Sequence, residues 1–473
     1  MADGPGRRQQ RSLLRRIAVG MPGLREAIFL ARTFPLVIRA PRIAIAIANS
    51  RWRQRDPMAV LAEIDVALTI TRSAMLYRRR ALVADKIGAL TLSRDAWLAA
   101  AGLGDPGAAL EARLATGRLV ELDPAWLPRP PGERALEPIE PASRRRVLHI
   151  LKSSGPERWA GFTIRTMHNL RAQRDSGLDP VAVTEIGWPR VVGVTDIKPV
   201  IDVEGIAHHR LDRGPDYPLD QVPNDVRMID TVADLERVVR EVRPAVLHAH
   251  SGNRGGEQAL MALALRERFG IPVVYEVRGV FESVWTNDTA MAERSELYAR
   301  RLEQETRILR EVDGIIAISE ALAADMVARG IERDRITIVP NGIAPASFAA
   351  AERDEDLRTQ LGLGGRFVVG YVGNLDHWRE GMDVLIRAVA ELHRRGRSGV
   401  AALIVGDGVE RDALEARAAN AGLAAHVRFT GRIPHDRIAR YYAQYDVFAN
   451  PRHDERASRL ITPLKPYEAM ALG

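Results

Sequence analysis

The chain has no cysteine, and this absence excludes several kinds of site. Without thiols there are no disulfides, no thiolate metal centres and no cysteine nucleophile. The loop from Ser153 to Gly161, which follows a clear strand pattern, lacks the G-x-G-x-x-G motif, and no G-x-x-x-x-G-K-[ST] motif occurs in the chain. Dinucleotide-binding and P-loop proteins are therefore disfavoured.

Positive charge is concentrated in residues 1–55. This segment holds twelve arginines against Asp3 and Glu26, a local charge of +10 in a chain of net charge +7, so the remainder sums to −3. We therefore expect no nucleic-acid partner for the main body. The apolar runs within the segment are far shorter than the roughly 18 residues of a membrane-spanning helix, and recurring arginine argues against a signal peptide. We interpret 1–55 as a basic amphipathic segment, either lying on an anionic membrane surface or docked on the protein's own core.

The next residues divide into a helical region and a linker. Apolar residues recur at helical spacing across 56–123, after the helix-start signal Asp56-Pro57. Six prolines between Pro124 and Pro141 mark 124–145 as a linker. We find no catalytic pattern in either part.

From Arg146 onward, short apolar runs alternate with helical patterns. The alternation begins at Val147–Leu151 and restarts at Phe367, after a polar stretch at 349–366. It predicts parallel sheets covered by helices, in two units that we bound at 146–345 and 346–473. Ligands of such sheets bind beyond the carboxyl ends of the strands, so we expect a cleft between two facing units.

Three candidate residues lie at the strand ends of the first unit. Gly161 precedes a helix and either lets backbone N–H groups approach a phosphate or forms an ordinary turn. His250 ends a strand and projects over the sheet edge. We place His248 on the opposite face, and the lack of a nearby third ligand argues against zinc. Arg278 meets either an anion or a salt-bridge partner.

The second unit offers glycine-containing loops and cations near one predicted edge. Gly373 and Asn374 follow its first strand, and Gly406 follows the next. Glu468 lies in the first turn of a helix that closes the sequence, where it is either a helix-dipole partner or a hydroxyl-binding group. The N-terminus of that helix favours an anion. The cationic candidates for a diphosphate are Arg379, Arg452, Arg459 and Lys465.

One literal metal-binding pattern, Asp354-Glu-Asp356, lies in the polar stretch between the two units. We interpret it as a helix start and assign no metal ligands.

Seven stretches, taken in order, resemble glycosyltransferase family 4. They are Gly161-Phe-Thr-Ile-Arg-Thr, Val246-Leu-His-Ala-His-Ser, Val274-Tyr-Glu-Val-Arg-Gly, Gly314-Ile-Ile-Ala-Ile-Ser-Glu, Val339-Pro-Asn-Gly-Ile, Gly370-Tyr-Val-Gly-Asn and Pro463-Leu-Lys-Pro-Tyr-Glu-Ala-Met-Ala. The similarity covers roughly 146–473 and is greatest to bacterial exopolysaccharide and capsule transferases. It implies the GT-B fold, with two facing Rossmann-like domains, and a retaining, metal-independent enzyme that uses a nucleotide-diphosphate sugar and no cofactor.

The resemblance also implies roles for individual residues. Glu468 would hold the donor ribose, and Lys465 with the helix N-terminus would face the diphosphate. His250 would lie beside the donor sugar and the acceptor. The catalytic candidates are thus His250, Lys465 and Glu468. The donor-binding candidates are Gly161, Arg278, Gly373, Asn374, Arg379, Gly406, Arg459 and Glu468.

Two departures from the family pattern stand out. Many members carry an acid eight residues before the ribose-binding glutamate, where this chain has Leu460. Many also carry an arginine and a lysine after the first strand of the second unit, where this chain has Asn374 and Glu380.

These departures keep two other functions open, a catalytically inactive binding or assembly protein and a sugar-nucleotide epimerase. We nevertheless favour transfer to a lipid-linked or oligosaccharide acceptor by a cytoplasmic protein, peripheral on the inner membrane face. A second unit of this fold is expected to continue past Gly473, so we predict that this domain is truncated.

Overall fold

The computed structural model describes residues 56–472, except 133–134, 159, 253, 344–351 and 435–436. The basic segment 1–55, with its predicted membrane-binding role, lies outside the described residues. The chain divides into two compact units. The helical unit contains residues up to 128 together with 214–230 and 290–304, and the α/β unit contains 129–213, 231–289 and 305–473.

The helical unit begins with four consecutive helices: α1 Pro57–Ile70, α2 Ala74–Lys86, α3 Leu90–Gly102 and α4 Ala108–Glu121. Asp56 caps α1, since its side chain accepts a hydrogen bond from Met58 N at 3.0 Å. Small residues allow α2, α3 and α4 to pack closely around Trp97. Glu296 joins this unit by accepting a hydrogen bond from Thr91 N at 2.8 Å, so 290–304 groups with the helices and not with the first α/β domain.

The first sheet has eight strands in the order β3-β4-β2-β1-β5-β6-β7-β8. Every pair is parallel except β3 with β4. In chain order, the elements from β1 to β8 are β1 Arg146–Leu151, α5 Gly161–Asp175, β2 Asp179–Thr184, β3 Val200–Val203, β4 Ile206–Arg210, α6 Asn224–Val242, β5 Val246–His250, α7 Glu257–Phe269, β6 Val273–Val277, α8 Thr289–Glu293, α9 Glu296–Glu311, β7 Gly314–Ala317, α10 Glu320–Ala328 and β8 Ile336–Ile338.

The second sheet has four parallel strands in the order β11-β10-β9-β12. Its elements are α11 Glu355–Gln360, β9 Phe367–Val372, α12 Met382–Arg394, β10 Val400–Val405, α13 Arg411–Asn420, β11 Val427–Phe429, α14 Ile438–Tyr442, β12 Val447–Phe448, α15 Arg456–Leu460 and α16 Lys465–Leu472. Asp354 caps α11 through Leu357 N at 2.8 Å and bonds Arg440. The prediction that Asp354–Asp356 begins a helix is therefore confirmed.

The predicted fold class is confirmed, with parallel sheets in two domains that follow a helical region. The central strands are apolar along their length because helices cover both sheet faces. The antiparallel edge formed by β3 and β4 was not predicted. Its strands are short, and its turn uses Glu204 and Gly205 with φ of 58° and 80°, as two-residue hairpins require.

Across the described ranges, no helix is both long enough and apolar enough to cross a bilayer.

Candidate functional site

The strand ends of both sheets line a cavity of about 450 Å³ within the α/β unit. Lys152 and Ser153 follow β1, Ser251 follows β5, Arg278 follows β6, and Asn374 lies beyond β9. A neighbouring cavity of about 390 Å³ reaches the start of α16. The site therefore lies where carboxyl ends of parallel strands meet, as predicted.

Most predicted site residues meet at these two cavities. The main cavity is lined by Gly161, His250, Arg278, Asn374, Arg379 and Lys465, among others. The neighbouring cavity includes Gly161, Arg278, Gly373, Lys465 and Glu468. Gly406 and Arg459 line neither cavity. Arg459 is 65% exposed and pairs with Asp454, so the structure places it on the surface.

Lys465 is held by two side chains that precede it by more than eighty residues. Its Nζ donates to the Tyr371 hydroxyl at 2.6 Å and to Glu380 Oε2 at 2.9 Å. Arg452 donates to the other oxygen of Glu380 at 3.2 Å. Burial lowers the pKa of Lys465 despite this pairing. Burial alone would raise the pKa of Glu380, but Lys465 and Arg452 lower it to about 2.

Glu468 lies in the first turn of α16, and Tyr442 Oη donates to its Oε2 at 2.9 Å. Burial and the neighbouring Glu468 raise the pKa of Tyr442, so that hydroxyl stays protonated as a donor. One carboxylate oxygen is therefore fixed. The side chain lines the neighbouring cavity, where a carboxylate can accept hydrogen bonds from hydroxyl groups.

The chain from the end of α15 to the start of α16 accepts two hydrogen bonds from residues that follow β7 and β8. Ser319 Oγ donates to Leu460 O at 2.7 Å, and Asn341 Nδ2 donates to Thr462 O at 2.6 Å. Both donors belong to stretches that carry the family resemblance. They hold the start of α16, and with it Lys465, at the cavity.

Arg278 is bound to buried Glu276, so the salt bridge left open by the sequence is present. Its Nε and Nη2 donate to the two oxygens of Glu276 at 3.0 Å each. Its Nη1 donates to Phe162 O and Thr166 Oγ1. The second hydrogen of Nη2 points at His250. All five N–H groups of the guanidinium thus meet protein acceptors.

His248 and His250 face the same way, so their placement on opposite faces was wrong. Residues two apart in a strand share a face, and the two rings lie 4.4 Å apart beside Glu276. His149 is in register with His248 on the adjacent strand. It supplies the third ligand whose absence argued against zinc, and ligand nitrogens of the three residues lie within 4.8 Å of one another.

This histidine cluster nevertheless suits a hydrogen-bond chain better than a cation. His149 Nδ1 and His250 Nε2 are 2.8 Å apart, whereas two nitrogens bound tetrahedrally to zinc stand about 3.3 Å apart. Arg165 and Arg278 both bond Glu276 beside the cluster and would repel a divalent ion. We therefore assign no metal to these residues.

The predicted glycines differ in what they contribute. A Cβ at Gly161 would make ordinary contact with Leu464 at 3.7 Å, so this position tolerates a side chain. A Cβ at Gly373 would lie 2.4 Å from Lys465 Nζ. Gly406 has φ of +148°, and a Cβ there would lie 1.8 Å from Gly373 O. The absence of a side chain at Gly406 therefore allows its backbone to pack directly against the backbone of Gly373.

Two residues with central positions were not predicted as site residues. Tyr371 bonds Lys465, yet in the sequence it is one member of the apolar run of β9. His149 bonds His250 from within β1. The register between β1 and β5 could have indicated His149, since both strands carry a histidine at the paired position.

Two family models match the chain in consecutive parts. A model described as "Glycosyl transferase 4-like domain" matches residues 160–342, and one described as "Glycosyl transferases group 1" matches 366–473. Among solved structures, sucrose-phosphate synthase from Thermosynechococcus elongatus is similar with a TM-score of 0.53 and 20% identity. That match covers 69% of this chain and 79% of the other, and it supports the fold.

Curated relatives include the 2-deoxystreptamine glucosyltransferase of Streptomyces kanamyceticus, 36% identical over 35% of this chain and 42% of that protein. The D-inositol 3-phosphate glycosyltransferase of Nocardia farcinica is 33% identical over 40% of this chain and 43% of that protein. The chain thus spans about half the length of the curated relatives it matches. Two successive family models on a fold of two parallel-sheet domains lead to one conclusion: the chain belongs to glycosyltransferase family 4, with the GT-B fold.

Proposed function

We propose that the chain transfers a sugar from a nucleotide-diphosphate sugar to a lipid-linked or oligosaccharide acceptor, in the synthesis of a cell-surface polysaccharide or glycolipid. The observation that carries this proposal is the group of cations at the main cavity, Lys465, Arg452 and Arg379. Cations fixed before the reaction stabilise negative charge as it develops on a leaving diphosphate. The names of the curated relatives, which are sugar transferases, support the same class of reaction.

In this proposal, the donor lies between the strand ends of β9 and the start of α16. Lys465 and the N-terminus of α16 bind the diphosphate. Glu468 accepts hydrogen bonds from the ribose hydroxyls with the oxygen that Tyr442 leaves open. The sugar extends toward the strand ends of the first sheet, where the acceptor enters.

Retention of configuration and independence from metal are parts of the proposal that the cavity's charges support. An inverting transferase needs a general base for the acceptor hydroxyl. Among the described residues lining the main cavity, Glu380 is the only carboxylate. Both of its oxygens accept hydrogen bonds from cations, so this carboxylate is not placed as a base. The three cations supply the charge stabilisation that a divalent metal provides in other transferases.

The experiment is release of nucleoside diphosphate from a panel of nucleotide sugars, with and without saccharide acceptors. We expect Lys465→Ala and Glu468→Ala each to lower the rate roughly 10²-fold. Matched controls are Lys198→Ala and Glu391→Ala, because Lys198 is exposed outside both cavities and Glu391 pairs with surface arginines.

Other outcomes would identify the competing functions. Tight nucleotide binding without release under any acceptor would indicate an inactive binding protein. Conversion of the donor into its epimer would indicate an epimerase. Activity that survives chelation of divalent metals is expected, and its loss would contradict metal independence.

We also propose that the protein is cytoplasmic and that residues 1–55 bind it to the inner membrane face. Surface arginines contribute about 1 kcal/mol each on anionic membranes. The full chain should therefore sediment with phosphatidylserine vesicles at low salt and be released by high salt. Unchanged binding after deletion of 1–55 would refute this role.

A further inference from the structure

We infer that Glu380 is a positioning residue of the donor site, whose buried carboxylate holds the Lys465 ammonium and the Arg452 guanidinium in place for a diphosphate. The identity of that ligand rests on the proposed function. The positioning itself rests on contacts within the chain.

A close backbone approach brings Glu380 beside the cations. Glu380 is the last residue of the short 3-10 turn Trp378–Glu380, and the next residue, Gly381, has a φ of +74°. A Cβ at Gly381 would lie 2.0 Å from Pro451 O. Glycine at this position therefore lets the loop after β9 touch the loop that carries Arg452.

Glu380 directs both carboxylate oxygens at protein donors. Oε2 accepts from Tyr371 Oη at 2.7 Å and from Lys465 Nζ at 2.9 Å. Oε1 accepts from Arg452 Nη2 at 3.2 Å. The residue is only 5% exposed. A carboxylate with these partners orients cations and is not available to bind a substrate hydroxyl.

The same contacts leave part of Lys465 available to a ligand. An ammonium carries three hydrogens, and the contacts above use two of them, one on Tyr371 and one on Glu380. Because the ammonium is tetrahedral, these two contacts fix the direction of its third hydrogen. Lys465 also lines both cavities, so Glu380 and Tyr371 together set where its remaining donor points.

Charge balance gives the carboxylate a second role. Lys465, Arg452 and Arg379 bring three positive charges to the cavity wall, and Glu380 reduces their sum to +2. Nζ of Lys465 and Nη2 of Arg452 both donate hydrogen bonds to this one carboxylate. Without it these two cations would repel each other and separate.

The test compares Glu380→Gln, Glu380→Asp and Glu380→Lys with the surface control Glu391→Gln. Binding of inorganic pyrophosphate is measured by calorimetry, and release of nucleoside diphosphate is measured by kinetics. We expect Glu380→Gln to weaken pyrophosphate binding and to lower kcat on the order of tenfold to a hundredfold. Glu380→Asp should recover part of the loss, and Glu380→Lys should be the weakest binder. Pyrophosphate binding to Glu380→Gln as tight as to the unmodified chain, or tighter, would overturn the proposal.

Failure of this inference can be told apart from failure of the proposed function. If no donor is turned over, but Glu380→Gln still loses pyrophosphate affinity, the positioning role stands and the transferase function falls. If the unmodified chain is active and Glu380→Gln matches it in kcat, KM and pyrophosphate binding, the positioning role falls. Should Glu380→Gln not fold, Glu380→Asp keeps the charge but shortens the reach to Lys465 and Arg452. Pyrophosphate affinity in Glu380→Asp equal to that of the unmodified chain would then refute the inference.

Discussion

His149 Nδ1 lies 2.8 Å from His250 Nε2, although the two residues are 101 positions apart in the sequence. Burial lowers the pKa of both rings, so both are neutral. His149 Nε2 lies 2.8 Å from Gln173 Oε1, which only accepts, so that nitrogen carries the hydrogen. His149 Nδ1 must then accept from His250 Nε2, and His250 Nδ1 accepts from Arg278.

This chain of hydrogen bonds leaves His250 with no free ring nitrogen. In the described arrangement, His250 Nδ1 and the Glu276 carboxylate both bond Arg278. We predict that His149→Leu leaves the His250 N–H unpaired in the interior and lowers the free energy of unfolding by about 1–3 kcal/mol. Urea denaturation measures this change, and turnover should fall as Arg278 shifts.

The matched control for that substitution is His149→Asn, whose side-chain oxygen lies near the position of Nδ1 and can accept the same hydrogen. It should retain most of the stability that His149→Leu loses. Equal loss in the two variants would show that ring packing, and not the hydrogen-bond chain, stabilises this region.

The glycines after β9 and β10 should respond differently to alanine. At Gly373 the new Cβ meets Lys465 Nζ at 2.4 Å and Tyr371 Oη at 2.6 Å, and the flexible lysine can move away. We expect Gly373→Ala to lose less stability than Gly406→Ala, although buried Tyr371 must also shift. It should lose roughly tenfold or more in donor affinity, because Lys465 is displaced. Nucleotide titration and thermal denaturation of the same sample measure both effects.

Gly406→Ala provides the contrast, because its Cβ would meet backbone and its φ is positive. This variant should unfold at a clearly lower temperature. Gly364→Ala, where no atom lies within 4 Å, is the neutral control. A Gly373→Ala protein that binds nucleotide normally would contradict the position assigned to Lys465.

Strand positions and the position of the cavity followed from the sequence because they depend on local pattern. The apolar runs at Val147–Leu151 and Phe367–Val372 became β1 and β9 almost residue for residue. The carboxyl ends of parallel strands then had to meet at one edge. Gly161, Asn374 and Lys465 therefore lie at the cavity as expected.

The partners of individual side chains could not be predicted from local pattern, since several of them lie far away in the sequence. In the sequence, Glu380 stands where many family members have a cation. In the fold, Lys465 and Arg452, which lie 85 and 72 residues further along the chain, donate hydrogen bonds to its carboxylate. For Arg278 the sequence leaves an anion and a salt bridge equally open. Glu276, two residues away on β6, supplies the salt bridge, and the register of β5 and β6 brings His250 beside both. The sequence predicts Arg459 beside other cations at the diphosphate, but in the structure it pairs with Asp454 on the surface.

Glu305 should make the stability of the α/β unit fall as pH rises toward neutrality. Burial, and then the nearby Glu282, raise the pKa of Glu305 to about 7, against the partial relief that Arg329 and Arg456 provide. Tyr275, the other titratable group facing it, remains a protonated phenol because burial raises its pKa. A raised acid pKa means that the folded chain binds the proton more tightly than the unfolded chain. The stabilisation is complete below the usual value of 4.5 and is lost as pH passes through about 7.

The size of this loss is on the order of 3 kcal/mol. Glu305→Gln, which stays neutral at every pH, should therefore gain stability relative to the unmodified chain between pH 5 and 8. Urea denaturation at a series of pH values measures the difference, with the exposed Glu391→Gln as the control for general charge effects. If the curves for the unmodified chain and Glu305→Gln run parallel over that range, Glu305 is ionised in the folded chain. Its hydrogen bond from Arg329, at 3.2 Å, would then outweigh the cost of burial.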